Sequence, residues 1–190
     1  LGRERGDFGN FKGSLWDKSG YKHMRNATVT TIAPNGTTSL LADCNGGIEP
    51  FFALGYIRKN METLGDTEIM FVNKYLEEKL KNEWLYDKAL MKEIIAKGTL
   101  KDIKKIPDRI KKIFVTAFDI TPEWHIKAQA AFQKFTDNAV SKTINFPENA
   151  TKADIKKAFF MASESKLKGM TIYRDKSRDQ QVLNLGSNNK

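Results

Sequence analysis

The stretch IAPNGTTSLLADCNGGIEP, from Ile32 to Pro50, gathers residue types suited to binding an anion. Pro34, Gly36, Gly46, Gly47 and Pro50 punctuate it, and Thr37, Thr38 and Ser39 set three hydroxyls in a row. Such a loop can aim several backbone N–H groups at one point without a side chain in the way, and a helix that starts inside it adds the positive end of its dipole. The amides of Asn35 to Ser39 are therefore candidates to cradle a phosphate. The competing reading is an ordinary strand-to-helix turn capped by Thr or Ser. The lysine that follows the second glycine in the phosphate loop of ATPases is missing, so ATP hydrolysis is not indicated.

Other chemistry has thin support. His23 and His125 stand far apart, with no second ligand at helical or CxxC spacing, so no metal site is expected. Cys44 is the single cysteine, which excludes an internal disulfide framework, fits a reducing compartment, and by default reads as a small buried thiol. With 32 Lys+Arg against 23 Asp+Glu the chain carries a net charge of +9, compatible with nucleic acid, nucleotide, an anionic surface or an acidic neighbouring domain. No apolar run approaches the roughly 20 residues that span a bilayer, and the N-terminus is too polar for a signal peptide. A cytoplasmic location is expected. The missing initial Met and the polar end LGSNNK suggest a piece of something longer.

The elements that must position the loop follow from periodicity and caps. Residues 1–24, with Phe8, Phe11, Leu15 and Trp16 as anchors, read as a connecting segment with at most a short helix. Thr28 to Ala33 alternates and reads as a strand stopped by Pro34, with SLLAD as a short helix beyond the loop. Ile69, Val72, Leu76 and Leu80 predict one amphipathic helix over DTEIMFVNKYLEEKLKNEW, followed by a helix from Asp87 to Lys97 with Gly98 as its C-cap. The basic stretch LKDIKKIPDRIKKIF reads as a solvated helix face broken by Pro107. Thr121 and Pro122 start another helix, with Ala128, Ala131, Phe132 and Phe135 as its apolar face. Ala139 to Phe146 reads as a second strand. The TKAD capping box opens a helix with Ile155, Ala158, Phe159 and Ala162 as its stripe and Gly169 as its end, and MTIYR is a third strand. This order implies parallel crossovers and an α/β architecture, with ligands at the carboxyl ends of the strands.

Three segments in linked order carry a resemblance: RNATVTTIAPNGTTSLLADCNGGIEPFFA, FVTAFDITPEWHIKAQAAFQKFTDNAVSKTINFPENAT and LKGMTIYRDKSR, together spanning Arg25 to Arg178. They resemble adenosylcobalamin-dependent (class II) ribonucleotide reductases. Asn35 and Thr38 depart from the family's usual Thr and Ile, and Lys176 from its usual Gly; Asn35 should matter little if contact is through backbone N–H. The resemblance implies that residues 25–178 are the C-terminal part of a ten-stranded α/β barrel, with 1–24 as a connecting segment and 179–190 as a polar tail. It also implies that ribonucleotides are reduced to deoxyribonucleotides by a cobalamin-initiated thiyl radical. The substrate phosphates would sit on Ala33, Pro34, Asn35, Gly36, Thr37, Thr38 and Ser39.

That chemistry needs at least three thiols, and the family's radical-cysteine pattern Asn-x-Cys-x-Glu is absent here. No catalytic residue is therefore assigned to this chain, and Cys44 matches a position where the family carries Cys or Ser. The partners implied are a ribonucleoside di- or triphosphate, a preceding N-terminal reductase portion, an external dithiol reductant and a homodimer mate. The alternative function is a non-catalytic nucleotide- or nucleic-acid-binding module on the same fold.

Overall fold

Caps and breakers place the elements of the computed structural model, which describes residues 1–42, 44–59 and 68–177. Arg178 and the 179–190 tail lie outside the described residues, as do Asp66 and Thr67 of the expected long helix. The N-terminal segment carries Gly2–Arg5 (α1) and Leu15–Lys18 (α2), the latter capped by the Ser14 side chain accepting from Asp17 N–H. The strand expected over 28–33 is reduced to one parallel bridge, Ile32 to Val140. Its backbone is also held by Asp137, whose carboxylate accepts from Val29 and Thr30 N–H at 2.8 and 3.1 Å. The side chain thus supplements a short ladder in which Thr30 O and Ile32 O accept from Asn138 and Ser141 N–H at 3.0 and 2.8 Å, and Pro34, which has no N–H to give, stops any further pairing.

The short helix expected over SLLAD starts earlier: Gly36–Leu41 (α3) is helical, so its first turn carries the hydroxyl run and overlaps the loop. The expected helix around residues 66–84 is divided. Gly55–Lys59 (β1) and Glu68–Val72 (β2) pair antiparallel, and the helix Lys74–Asn82 (α4) begins only after Asn73, whose side chain accepts from Leu76 N–H at 3.0 Å. The Ile, Phe and Val of β2 suit a pleated surface, and the Asn cap sets a boundary that apolar spacing does not register.

Lys88–Lys97 (α5) is capped by Asp87 and closed by left-handed Gly98, as the sequence predicts. The basic stretch differs from its expectation. Only Asp108–Lys111 (α6) is helical there, and Leu100, Ile103, Ile106 and Ile110 are all buried with Leu76, Leu80 and Ile94 in one core. Lys101, Lys104 and Lys105 point outward between them, so the segment is a core strap with a charged exterior rather than a solvated helix.

A second core lies between Pro122–Gln133 (α7), Thr143–Phe146 (β3), Lys152–Glu164 (α8) and Thr171–Arg174 (β4). β3 and β4 are parallel neighbours with Thr143 beside Thr171 and Asn145 beside Tyr173. Ile144 and Phe146 face Ile126 of α7 and Ala158 of α8. The Thr151–Asp154 capping box forms as expected, but α8 stops at Ser165 and not at Gly169. On α7 the buried residues are His125, Ile126 and Gln129, while Ala128, Ala131 and Phe132 are exposed, as is Phe135 beyond the helix end. The inversion has a polar cause. The Gln129 amide donates to Val140 O and Gly169 O at 2.9 and 2.8 Å, and the His125 ring bonds Ala117 O at 2.9 Å. Buried carbonyls need donors, and this face of α7 supplies them.

Candidate functional site

The loop from Ala33 to Ser39 takes its shape from Asn35, whose φ of 48° lies in the left-handed region. The first helical bond of α3 runs from Ser39 N–H to Asn35 O at 2.9 Å, so Gly36, Thr37 and Thr38 N–H have no intrahelical acceptor. Ser39 turns its hydroxyl onto Gly36 O at 2.7 Å, which commits it to the helix, while Thr37 and Thr38 are exposed. A Cβ at Gly36 would meet nothing within 4 Å.

Two glycines that the sequence marks only as punctuation back this loop. A Cβ at Gly46 would lie 2.7 Å from Pro34 O, and one at Gly47, whose φ is +57°, 3.0 Å from Ala33 O. The loop can therefore hold this form only while the returning chain has no side chains there. Asn35 also gains a role the sequence reading denied it, since Asn tolerates left-handed backbone and a β-branched residue does not. Asn35→Thr is expected to lower stability by about 1–2 kcal/mol, while Asn35→Gly stays within about 0.5 kcal/mol, as read by urea denaturation of the assembled protein.

Behind the glycines, Glu49 reaches β3. One carboxylate oxygen lies 2.6 Å from Lys142 Nζ, and the other accepts from Thr143 N–H. The Lys142 side chain is only 2% exposed. Burial holds its amine below the ordinary value, opposed by the Glu49 carboxylate. This pair, which the sequence reading missed, ties the end of the loop segment to the strand. The signal was present: Lys142 shares strand parity with core-facing Ile144 and Phe146, and a lysine in that register needs a carboxylate partner.

His125 is fully buried, in keeping with its reading as a packed side chain, and burial pushes its pKa below the ordinary 6.5, against the bond to Ala117 O. The unfolded chain then takes up a proton before the folded one does. Stability should fall as pH drops below about 6.5, and melts between about pH 7.5 and 5.5 should show a shallower decline in His125→Gln than in the parent. Cys44 is an exposed free thiol, which corrects its reading as buried; it lies past α3, where no core element covers it. Among the described residues no three His, Cys, Asp or Glu gather as a metal site, and no helix is long and apolar enough to cross a membrane.

The profile of the ribonucleotide reductase barrel domain matches residues 13–173, which include the loop, its glycine backing and the Glu49–Lys142 tie. This chain belongs to the ribonucleotide reductase family. It is 46% identical over 187 residues to the vitamin B12-dependent ribonucleoside-diphosphate reductase of Thermoplasma acidophilum, covering 98% of this chain and 24% of that protein. The enzyme of the same name from Mycobacterium tuberculosis (strain CDC 1551 / Oshkosh) is 38% identical over 183 residues, 96% of this chain and 26% of that protein. The chain thus spans about a quarter of the length of these curated relatives. Its fold is similar to that of the class Id ribonucleotide reductase alpha subunit of Actinobacillus ureae, with a TM-score of 0.68 at 21% identity, over 92% of this chain and 30% of that one. The parallel strands and helices of this reductase segment are part of an α/β barrel.

Proposed function

We propose that this chain is the C-terminal barrel portion of a ribonucleotide reductase that converts ribonucleotides to deoxyribonucleotides, and that its contribution is to hold the substrate's phosphates on Ala33 to Ser39. The observation that carries this is the open start of α3. Three N–H groups precede the first helical bond, and Gly36 leaves the space in front of them clear. The printed names of the relatives favour ribonucleoside diphosphates as substrates and vitamin B12 as the source of the cofactor. Adenosylcobalamin, when bound, supplies radical initiation. The cavity between Glu49, Phe52 and β3–β4, about 400 Å³, is far too small for a corrin macrocycle, so the macrocycle is assigned to no residue of this chain.

The residues here bind and orient. α3 presents its amides to the anion, Gly46 and Gly47 let the loop close behind it, and the Glu49–Lys142 pair fixes that wall to β3. The radical and reducing thiols belong to the preceding reductase portion, with an external dithiol restoring them, which suits a reducing cytoplasmic setting. Joining this chain to that portion and supplying adenosylcobalamin, a ribonucleoside diphosphate and a dithiol should yield the deoxyribonucleotide. A folded, assembled protein that forms none under those conditions would sink the proposal.

A further inference from the structure

Helix α4 ends in a turn that favours glycine and carries tryptophan instead. Trp84 N–H donates to Lys81 O at 3.1 Å and Leu85 N–H to Leu80 O at 2.9 Å, the bonding pattern of a Schellman cap. Trp84 therefore sits in the left-handed region, with a φ of 57°. Glycine takes that backbone freely, whereas a bulky residue there is strained. Leu80 is buried and Leu85 packs against the same core, so the turn is pinned on both sides and holds the indole outward, 95% exposed. A single exposed aromatic residue is ordinary, but a strained backbone that displays one serves neither packing nor solubility, and such outliers gather at functional positions.

The charges around the ring narrow its use. Glu83, the preceding residue, pairs with both Lys79 and Arg109. Lys81 pairs with Glu77 and stands 5.0 Å from the centre of the Tyr86 ring, and Lys105 pairs with Asp87. In every one of these pairs the cation is the more exposed member, most sharply where the Arg109 side chain is 66% exposed and that of Glu83 17%. The carboxylates thus lie behind and the cations in front. Tryptophan and arginine are the residue types that anchor protein interfaces, and the outward charge selects a partner bearing carboxylates. The interleaved Glu77, Glu83 and Asp87 count against a nucleic-acid backbone, whose regularly spaced phosphates would meet them as well.

We propose that the turn around Trp84 is a docking site for an acidic protein segment. Carboxylates of the segment meet Lys79, Lys81, Lys105 and Arg109, and an apolar or aromatic residue of it packs on the indole. The turn is already fixed by Leu80 and Leu85, so the anchor pays little ordering entropy on binding. The site does not depend on the phosphate loop.

The test titrates the assembled reductase, parent and Trp84→Gly, with three probes: a glutamate–tyrosine copolymer, polyglutamate and single-stranded oligothymidylate. Calorimetry reads affinity and tryptophan emission reads coverage of the ring. The parent should bind the copolymer more tightly than polyglutamate, with its emission shifting to the blue as the indole is covered. Trp84→Gly should weaken the copolymer by about tenfold or more, leave polyglutamate unchanged, and melt at a higher temperature because the left-handed turn is relieved. Copolymer binding at the parent's strength in Trp84→Gly overturns the proposal, as does a parent that binds no copolymer. A lower melt in Trp84→Gly denies the strain and overturns it too. Oligothymidylate bound more tightly than the copolymer, and lost with Trp84, replaces the acidic segment with a nucleic-acid platform. If the emission that Trp84→Gly removes is already shielded from acrylamide in the free reductase, the patch is an internal contact with the preceding portion, and the proposal falls.

Discussion

Glu49→Ala is expected to destabilise the assembled protein by about 3–5 kcal/mol, the cost of stranding one member of a buried ion pair. The substitution leaves the Lys142 amine, 2% exposed, without its carboxylate, and removes the acceptor of Thr143 N–H. Exposed pairs of the same type set the contrast. Lys81 and Glu77 lie 2.6 Å apart on α4 with half-exposed side chains, and Glu77→Ala should cost less than about 1 kcal/mol. The effect carries a pH signature. Burial already holds Lys142 below its ordinary 10.5, and losing Glu49 lowers it further. The unfolded chain then binds the proton that the folded one gives up, so the loss is largest at low pH and shrinks as pH rises toward 10.5. Replacing both partners, as Glu49→Leu with Lys142→Met, should recover most of the loss, because no buried charge remains. Urea denaturation at several pH values measures all three, and a Glu49→Ala change under about 1 kcal/mol would remove the pair from its positioning role.

What the sequence discloses here tracks how local the cause is. Thr151 with Asp154, Asp87 with the Leu90 N–H it caps, and Thr121 with Pro122 are decided within a turn of chain, and those helix starts stand where the residues put them. The long helix failed because Asn73 and the strand-forming residues before it are also local signals, which the three- and four-residue apolar spacing overrode in the reading. The face of α7 was not legible in the same way. Ala128 and Phe132 look like core, and only the positions of the Ala117, Val140 and Gly169 carbonyls make His125 and Gln129 the buried residues. The loop divides along the same line. Its glycines and hydroxyls are plain in the sequence, but the need for Gly46 and Gly47 comes from carbonyls of Ala33 and Pro34, more than ten residues earlier.

Gly36→Val should weaken binding of a ribonucleoside diphosphate to the assembled protein by at least about tenfold while leaving the fold intact. The structure makes this a cleaner test than the sequence suggests, because Gly36 has ordinary backbone and open space where a side chain would grow. A Cβ there strains no turn and meets nothing within 4 Å, so the added side chain grows into the space through which a ligand would approach the amides of Gly36, Thr37 and Thr38. Each charge-assisted bond is worth about 1.5–3 kcal/mol, and holding a phosphate away from two donors exceeds the 1.4 kcal/mol that equals a factor of ten. Gly46→Val provides the opposite case. Its side chain would drive into Pro34 O, so the loop must move, and both the melting temperature and nucleotide affinity should fall together. Circular dichroism melts alongside nucleotide titration separate the two variants. If Gly36→Val binds nucleotide as the parent does, the loop is a structural turn, and the phosphates must be held by another part of the reductase.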